Sequence, residues 1–114
     1  MWDIEQSDEF EVWFLALPDY AKEKIIMGVE ILRNIGPSLG RPWVDTIKGS
    51  KLKNLKELRI DVKQNVFRIL FVFDPKRIGI LLVGGDKRGQ KRFYEQIIPL
   101  AESIYESYPN RRIA

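Results

Sequence analysis

The chain has 114 residues, with 19 Lys or Arg against 16 Asp or Glu for a formal net charge of +3, and it has neither cysteine nor histidine. That length suits one domain, residues 1–114, with its own core, and the two missing residue types exclude disulfides, thiolate or imidazole metal sites, a histidine general base and a Ser-His triad. The acidic opening MWDIEQSDEFEVW lacks a signal-peptide core, and no run nears the roughly 20 apolar residues of a bilayer span, so a cytoplasmic protein without a membrane partner is expected.

In chain order, Trp2-Asp3-Ile4 is a candidate short edge strand. Ser7 or Asp8 caps a helix whose apolar positions Phe10, Trp13, Phe14 and Leu17 recur at helical spacing, and Pro18 ends it. A second helix starts near Asp19, turns Ala21, Ile25, Val29 and Leu32 to one face, and stops at Gly36-Pro37. The pair forms a helical hairpin. From Gly36 to Ser50 the Gly-Pro, Gly-Arg-Pro and Gly-Ser steps predict an irregular connection, which Trp43, Val44 and Ile47 could pack down and whose length is that of many functional loops.

The stretch from Lys51 to Arg92 reads as a three-stranded antiparallel meander. Leu58, Ile60 and Val62 share one face of its first strand, with Glu57, Arg59, Asp61 and Lys63 on the other. In the second strand Phe67, Ile69, Phe71 and Phe73 form the bulky stripe. A turn at Gln64-Asn65 would set Ile60 against Ile69 and Arg68 against Asp61, with Arg59 diagonal to Arg68. A turn at Asp74-Pro75-Lys76-Arg77 would set Phe73 against Ile78 and Phe71 against Ile80, giving one apolar face and one face where cations converge. Residues 51–92 carry twelve Lys or Arg and four Asp or Glu, whereas residues 1–50 carry five and nine. Such a basic sheet points to a polyanionic partner such as nucleic acid, or is a solvated face.

A last helix follows, marked by Phe93, Ile97, Leu100, Ile104 and Tyr108, with Pro99 expected to kink or divide it. The tail Arg111-Arg112-Ile113-Ala114 is expected to fray. Gly84-Gly85-Asp86-Lys87-Arg88-Gly89 lacks the spacing of a nucleotide loop, and the acids read as scattered over helices. The remaining chemistry is a set of cations with one phenol, Tyr94. Such a set can act on RNA, whose 2′-hydroxyl is a built-in nucleophile: the protein must hold the phosphate, offset the developing charge and move two protons.

The segments GRPWVDTIKGSKLKNL, KELRI, FRILFVFDP and ILLVGGDKRGQKRFY, in this order, resemble the RelE/HigB superfamily of toxins from toxin–antitoxin pairs, particularly its phage-derived HigB-like branch. The resemblance runs from about Phe10 to Tyr108. It implies an α+β RelE-like fold, in which the N-terminal helical hairpin packs on a three- to four-stranded mainly antiparallel sheet with a C-terminal helix. It also implies a metal-independent, cofactor-free endoribonuclease that cuts mRNA, usually on the ribosome, held by a cognate antitoxin of helix-turn-helix type. By position, Arg68 matches the family's phosphate-stabilising arginine, Arg59 a basic residue of the preceding strand, and Arg88 and Tyr94 the arginine and tyrosine at the start of the last helix. Lys53 and Lys56 fall where basic residues assist proton transfer, while Lys63, Lys87, Lys91 and Arg92 would grip RNA. Without the histidine of some HigB members, the general base would be Tyr94 first and a lysine second. Blander roles exist for each: Arg68 pairing only with Asp61, Tyr94 covering the sheet edge, Arg88 capping a turn. Alternative functions are a ParE-like gyrase poison, against which the basic residues and Tyr94 argue, or an inactive module that binds RNA or antitoxin.

Overall fold

A computed structural model describes residues 1–109; the tail segment expected to fray lies outside the described residues. Five strands, β1 Asp3–Gln6, β2 Val44–Thr46, β3 Lys56–Val62, β4 Asn65–Asp74 and β5 Ile78–Asp86, form one sheet in the order β1-β5-β4-β3-β2. Among the described residues only the β1–β5 pair is parallel. The α+β class and the mainly antiparallel meander are as expected, but the sheet has five strands where three to four were expected. The addition is β2, three residues of the connection read as irregular, which pairs Val44 with Leu58 and Thr46 with Lys56.

Helices α1 Asp8–Leu15 and α2 Asp19–Ile35 cover one face and α3 Phe93–Glu106 covers the other. Ser7 starts α1: its Oγ accepts from the Phe10 amide at 3.0 Å and donates to the Leu82 carbonyl at 2.5 Å, so the cap also ties the helix to β5. Pro18 precedes α2 as its N-cap rather than closing α1, which ends at Leu15. Pro99 does not divide α3, since Phe93, Ile97, Ala101 and Ile104 pack on the sheet on either side of it.

The hairpin registers differ from expectation, and one difference reshapes the sheet. Val62 pairs with Asn65, so the first turn is Lys63-Gln64, with Lys63 in the left-handed region at φ 53°. Leu58 therefore faces Ile69, Ile60 faces Phe67 and Arg59 lies directly opposite Arg68, with no change of face. The second turn is a three-residue loop, Pro75-Lys76-Arg77, closed by Arg77 at φ 66° while the Asp74 Oδ1 accepts from the Lys76 amide at 2.8 Å. Asp74 thus pairs with Ile78, Val72 with Ile80 and Phe71 with Leu81. A shift of one residue exchanges the faces of β5. Ile80 joins Leu70 and Val72 under α3, and a bulge between Leu70 and Phe71 sends both Leu82 and Val83 the same way. The sheet consequently has two apolar faces, and the buried cation Arg68 sits with Arg59 on the α3 side.

The α1 side closes over Gly84. A Cβ there would sit 2.3 Å from Cζ3 of Trp13, whose ring also packs edge-on against Phe67. Gly84→Ala is expected to lower stability by about 1–3 kcal/mol through overpacking, read as a lower urea midpoint at unchanged slope.

Candidate functional site

Strand alternation puts Glu57, Arg59 and Asp61 in one stripe on the α3 side of β3, and the pairing of Arg59 with Arg68 brings the β4 guanidinium against that stripe. Glu57 is the hub. Its Oε2 is 3.1 Å from Nη1 of Arg59, its Oε1 is 3.9 Å from Nε of Arg68, and the same oxygen accepts a 2.6 Å hydrogen bond from the Tyr94 hydroxyl. Arg68 also donates from Nη1 to Asp61 at 2.7 Å and to its neighbour's carbonyl, Phe67 O, at 2.8 Å. Two arginines facing each other across adjacent strands would repel. The carboxylate between them removes that penalty.

Burial gives the cluster its weight. Glu57 is 4% and Arg68 3% exposed, and Nε of Arg68 has no hydrogen-bond partner among the described residues. A buried guanidinium donor without a hydrogen-bond partner is rare and costly, and it is what a charge-assisted bond to an anion would satisfy. Gly85 lies opposite Arg68 and adds no side chain there. Phe93 fills that space from α3, which sets the next residue, Tyr94, over Glu57.

Burial, with the hydrogen bond to Glu57 second, pushes the Tyr94 phenol up to about 12. Tyr94 therefore carries its proton at neutral pH and points it at a carboxylate, the reverse of the orientation a base requires. The folded phenol titrates above the ordinary value near 10, so between about pH 10 and 12 the unfolded chain releases a proton that the folded chain keeps. Stability that Tyr94 contributes below pH 10 is thus lost as pH rises through that window. In urea titrations Tyr94→Phe is expected to show a shallower fall of the unfolding midpoint between pH 10 and 12 than the wild type.

The other predicted residues divide. Lys87 is drawn in, with its ammonium 5.1 Å from the centre of the Tyr94 ring. Arg88 is not placed with Arg68: its Nη1 donates to Gln64 Oε1 at 2.8 Å across the β3–β4 turn, and its amide donates to Asp86. Lys56 shares the parity of Leu58, on the opposite face from Glu57, and its Nζ donates to the Pro37 carbonyl at 3.1 Å. Lys53 is exposed in the turn before β3. Lys63 stacks its ammonium 4.1 Å from the Tyr20 ring centre, on the α2 side. Lys91 is exposed, and Arg92 pairs weakly with Glu95 at the start of α3. Sequence reasoning passed over Glu57, although parity had put it on the face of Arg59; a Glu in a strand that alternates with apolar residues reads as solvated. Among the described residues no group of His, Cys, Asp and Glu side chains could hold a metal, and no helix is long and apolar enough to cross a membrane.

A family described as phage-derived protein Gp49-like matches residues 12–106. HigB3 of Mycobacterium tuberculosis, named as a toxin, is 44% identical over 101 residues, covering 88% of this chain and 87% of HigB3. Among solved structures, the isolated Escherichia coli RelE toxin superposes with a TM-score of 0.62 at 8% identity, over 85% of this chain and 96% of RelE. A chain of the archaeal RelE–RelB complex from Pyrococcus horikoshii does so at 0.58 and 14% identity, over 78% of this chain and 97% of that one.

Proposed function

The chain belongs to the phage-derived Gp49-like family, and we propose that it is the toxin of a toxin–antitoxin pair that arrests translation by cutting mRNA. The observation that carries the reading is the buried cluster itself: a carboxylate held between two arginines, one with an orphaned donor, under a phenol that keeps its proton. Homology to HigB3 and the RelE fold support the toxin assignment. The RelE–RelB neighbour supports a protein partner that holds the toxin, an antitoxin for which a helix-turn-helix type is expected.

In this reading Arg68 and Arg59 bind the scissile phosphate, and its arrival draws the outer arginine, Arg59, off Glu57. Glu57 takes the proton of the 2′-hydroxyl, the 2′-oxygen bonds to phosphorus, and the bond from phosphorus to the 5′-oxygen breaks. Tyr94 gives its proton to the leaving 5′-oxygen and regains one through its hydrogen bond to Glu57, so both groups return to their starting state. The products are a 2′,3′-cyclic phosphate and a 5′-hydroxyl. Lys87, at the Tyr94 ring, adds positive potential for the RNA backbone; Lys53, Lys63, Arg88, Lys91 and Arg92 contribute outer backbone or ribosome contacts. The site of action is the cytoplasm, where translating ribosomes are.

The test is to incubate purified protein with a translated mRNA, with and without ribosomes, and to map the ends. Cuts carrying cyclic-phosphate and 5′-hydroxyl ends support the reading. No cutting by a folded protein that still arrests growth overturns it and brings the gyrase alternative forward.

A further inference from the structure

A groove of about 310 Å³ opens beside the cluster, between α2, the loop before β2 and β3, lined by Lys24, Arg41, Pro42, Trp43, Arg59 and Asp61. Arg59 belongs to both places. Its amide donates to the Trp43 carbonyl at 2.7 Å while its guanidinium reaches Glu57, so the groove and the cluster are joined through one residue.

Trp43 is half-buried and seated against α2, where Gly28 admits it: a Cβ at Gly28 would lie 3.4 Å from Cζ3 of the ring and 2.5 Å from Cδ1 of Ile60. The Lys24 ammonium stands 5.7 Å from the ring centre. Arg41 is largely exposed and is steadied at 2.6 Å by Asp45, whose carboxyl the guanidinium holds below the usual range. Asp61, the carboxylate among the lining residues, is engaged by Arg68. The lining is thus one indole platform with three cations and one already-paired acid. An amphipathic helix wants an apolar trough; this composition instead matches single-stranded nucleic acid, whose bases stack on aromatic rings while cations follow the phosphates.

We propose that this groove is a nucleotide subsite, in which the base adjoining the scissile phosphate stacks on Trp43 and the neighbouring phosphate lies between Lys24 and Arg41, with Arg59 at the join to the scissile phosphate. The subsite rests on the nuclease reading only in having a scissile phosphate beside it; the stacking is independent of cleavage.

The experiment titrates a labelled, unstructured hexaribonucleotide, 2′-O-methylated throughout so that it cannot be cut, into the full-length protein. A second hexamer carries abasic positions. Trp43→Ala is expected to weaken the intact hexamer about 5- to 150-fold, Trp43→Phe to retain most of the affinity, and the intact-over-abasic preference to vanish in Trp43→Ala. The paired change Lys24→Ala with Arg41→Ala is expected to reduce the slope of log affinity against log salt by about 1.4. An intact-over-abasic preference that survives Trp43→Ala in a folded protein overturns the subsite, as does the absence of hexamer binding by the wild type. So does a groove that only a purified antitoxin occupies. Failure of the two readings is separable: Trp43-dependent binding without any mRNA cutting removes the nuclease alone, and cutting with Trp43-independent binding removes the subsite alone.

Discussion

Arg68→Ala is expected to lose both cleavage and stability, and by amounts large enough to be told apart. The side chain is 3% exposed and meets Glu57, Asp61 and the Phe67 carbonyl at once. Removing it leaves the Glu57 carboxylate buried with Arg59 and Tyr94 as its remaining partners, and breaking a buried pair from one side costs about 3–5 kcal/mol. Against a total of roughly 5–15 kcal/mol for a domain, that is a visible drop in the urea midpoint. In the proposed reaction Arg68 aims a donor at developing phosphate charge, and its loss is expected to slow cleavage by about 10²- to 10³-fold. Arg68→Lys separates the two effects, because a lysine restores a positive charge beside Glu57 without the planar fork that spans Glu57, Asp61 and a phosphate. Stability is therefore expected to recover more than cleavage. An Arg68→Ala protein as stable as the wild type would show that the buried pair contributes nothing, and the electrostatic account of the cluster would fall with it.

What the sequence made legible was periodicity. Helices α1 and α2, the parity of β3 and β4, and the placement of Arg59, Asp61 and Arg68 on one face all follow from apolar spacing, and the structure keeps them. Turn chemistry was less legible. Both the four-residue reading of Asp74 to Arg77 and the observed three-residue loop use Pro75 and Asp74 equally well. They differ by whether Arg77 adopts a left-handed conformation, which non-glycine residues seldom do. That single backbone choice decided whether Ile80 lay with Phe71 or with Val72, and so whether the sheet had one apolar face or two. Strand β2 was hidden for another reason: three residues with one buried side chain, Val44, give no period to detect. Glu57 was hidden by chemistry rather than by spacing, since its burial depends on Tyr94 arriving from a helix 37 residues further on.

That late-arriving carboxylate sets the sharpest test of mechanism. Glu57→Gln keeps the volume and an oxygen that Tyr94 can donate to, and it removes the charge and the proton-accepting ability together. Cleavage is expected to fall by about 10²- to 10⁴-fold, the usual contribution of a positioned general base. RNA affinity is expected to hold or rise, because Arg59 and Arg68 then face an incoming phosphate without a competing anion between them. The fold should also feel the change, since two opposed guanidinium groups lose the charge that separated them. Cleavage and binding of the uncleavable hexamer, measured on the same folded preparation, decide the role. A loss confined to cleavage fits a base. An equal loss of both would make Glu57 a structural spacer for the arginines, and the proton from the 2′-hydroxyl would then have to go elsewhere, with Lys87, beside the Tyr94 ring, as a group to examine.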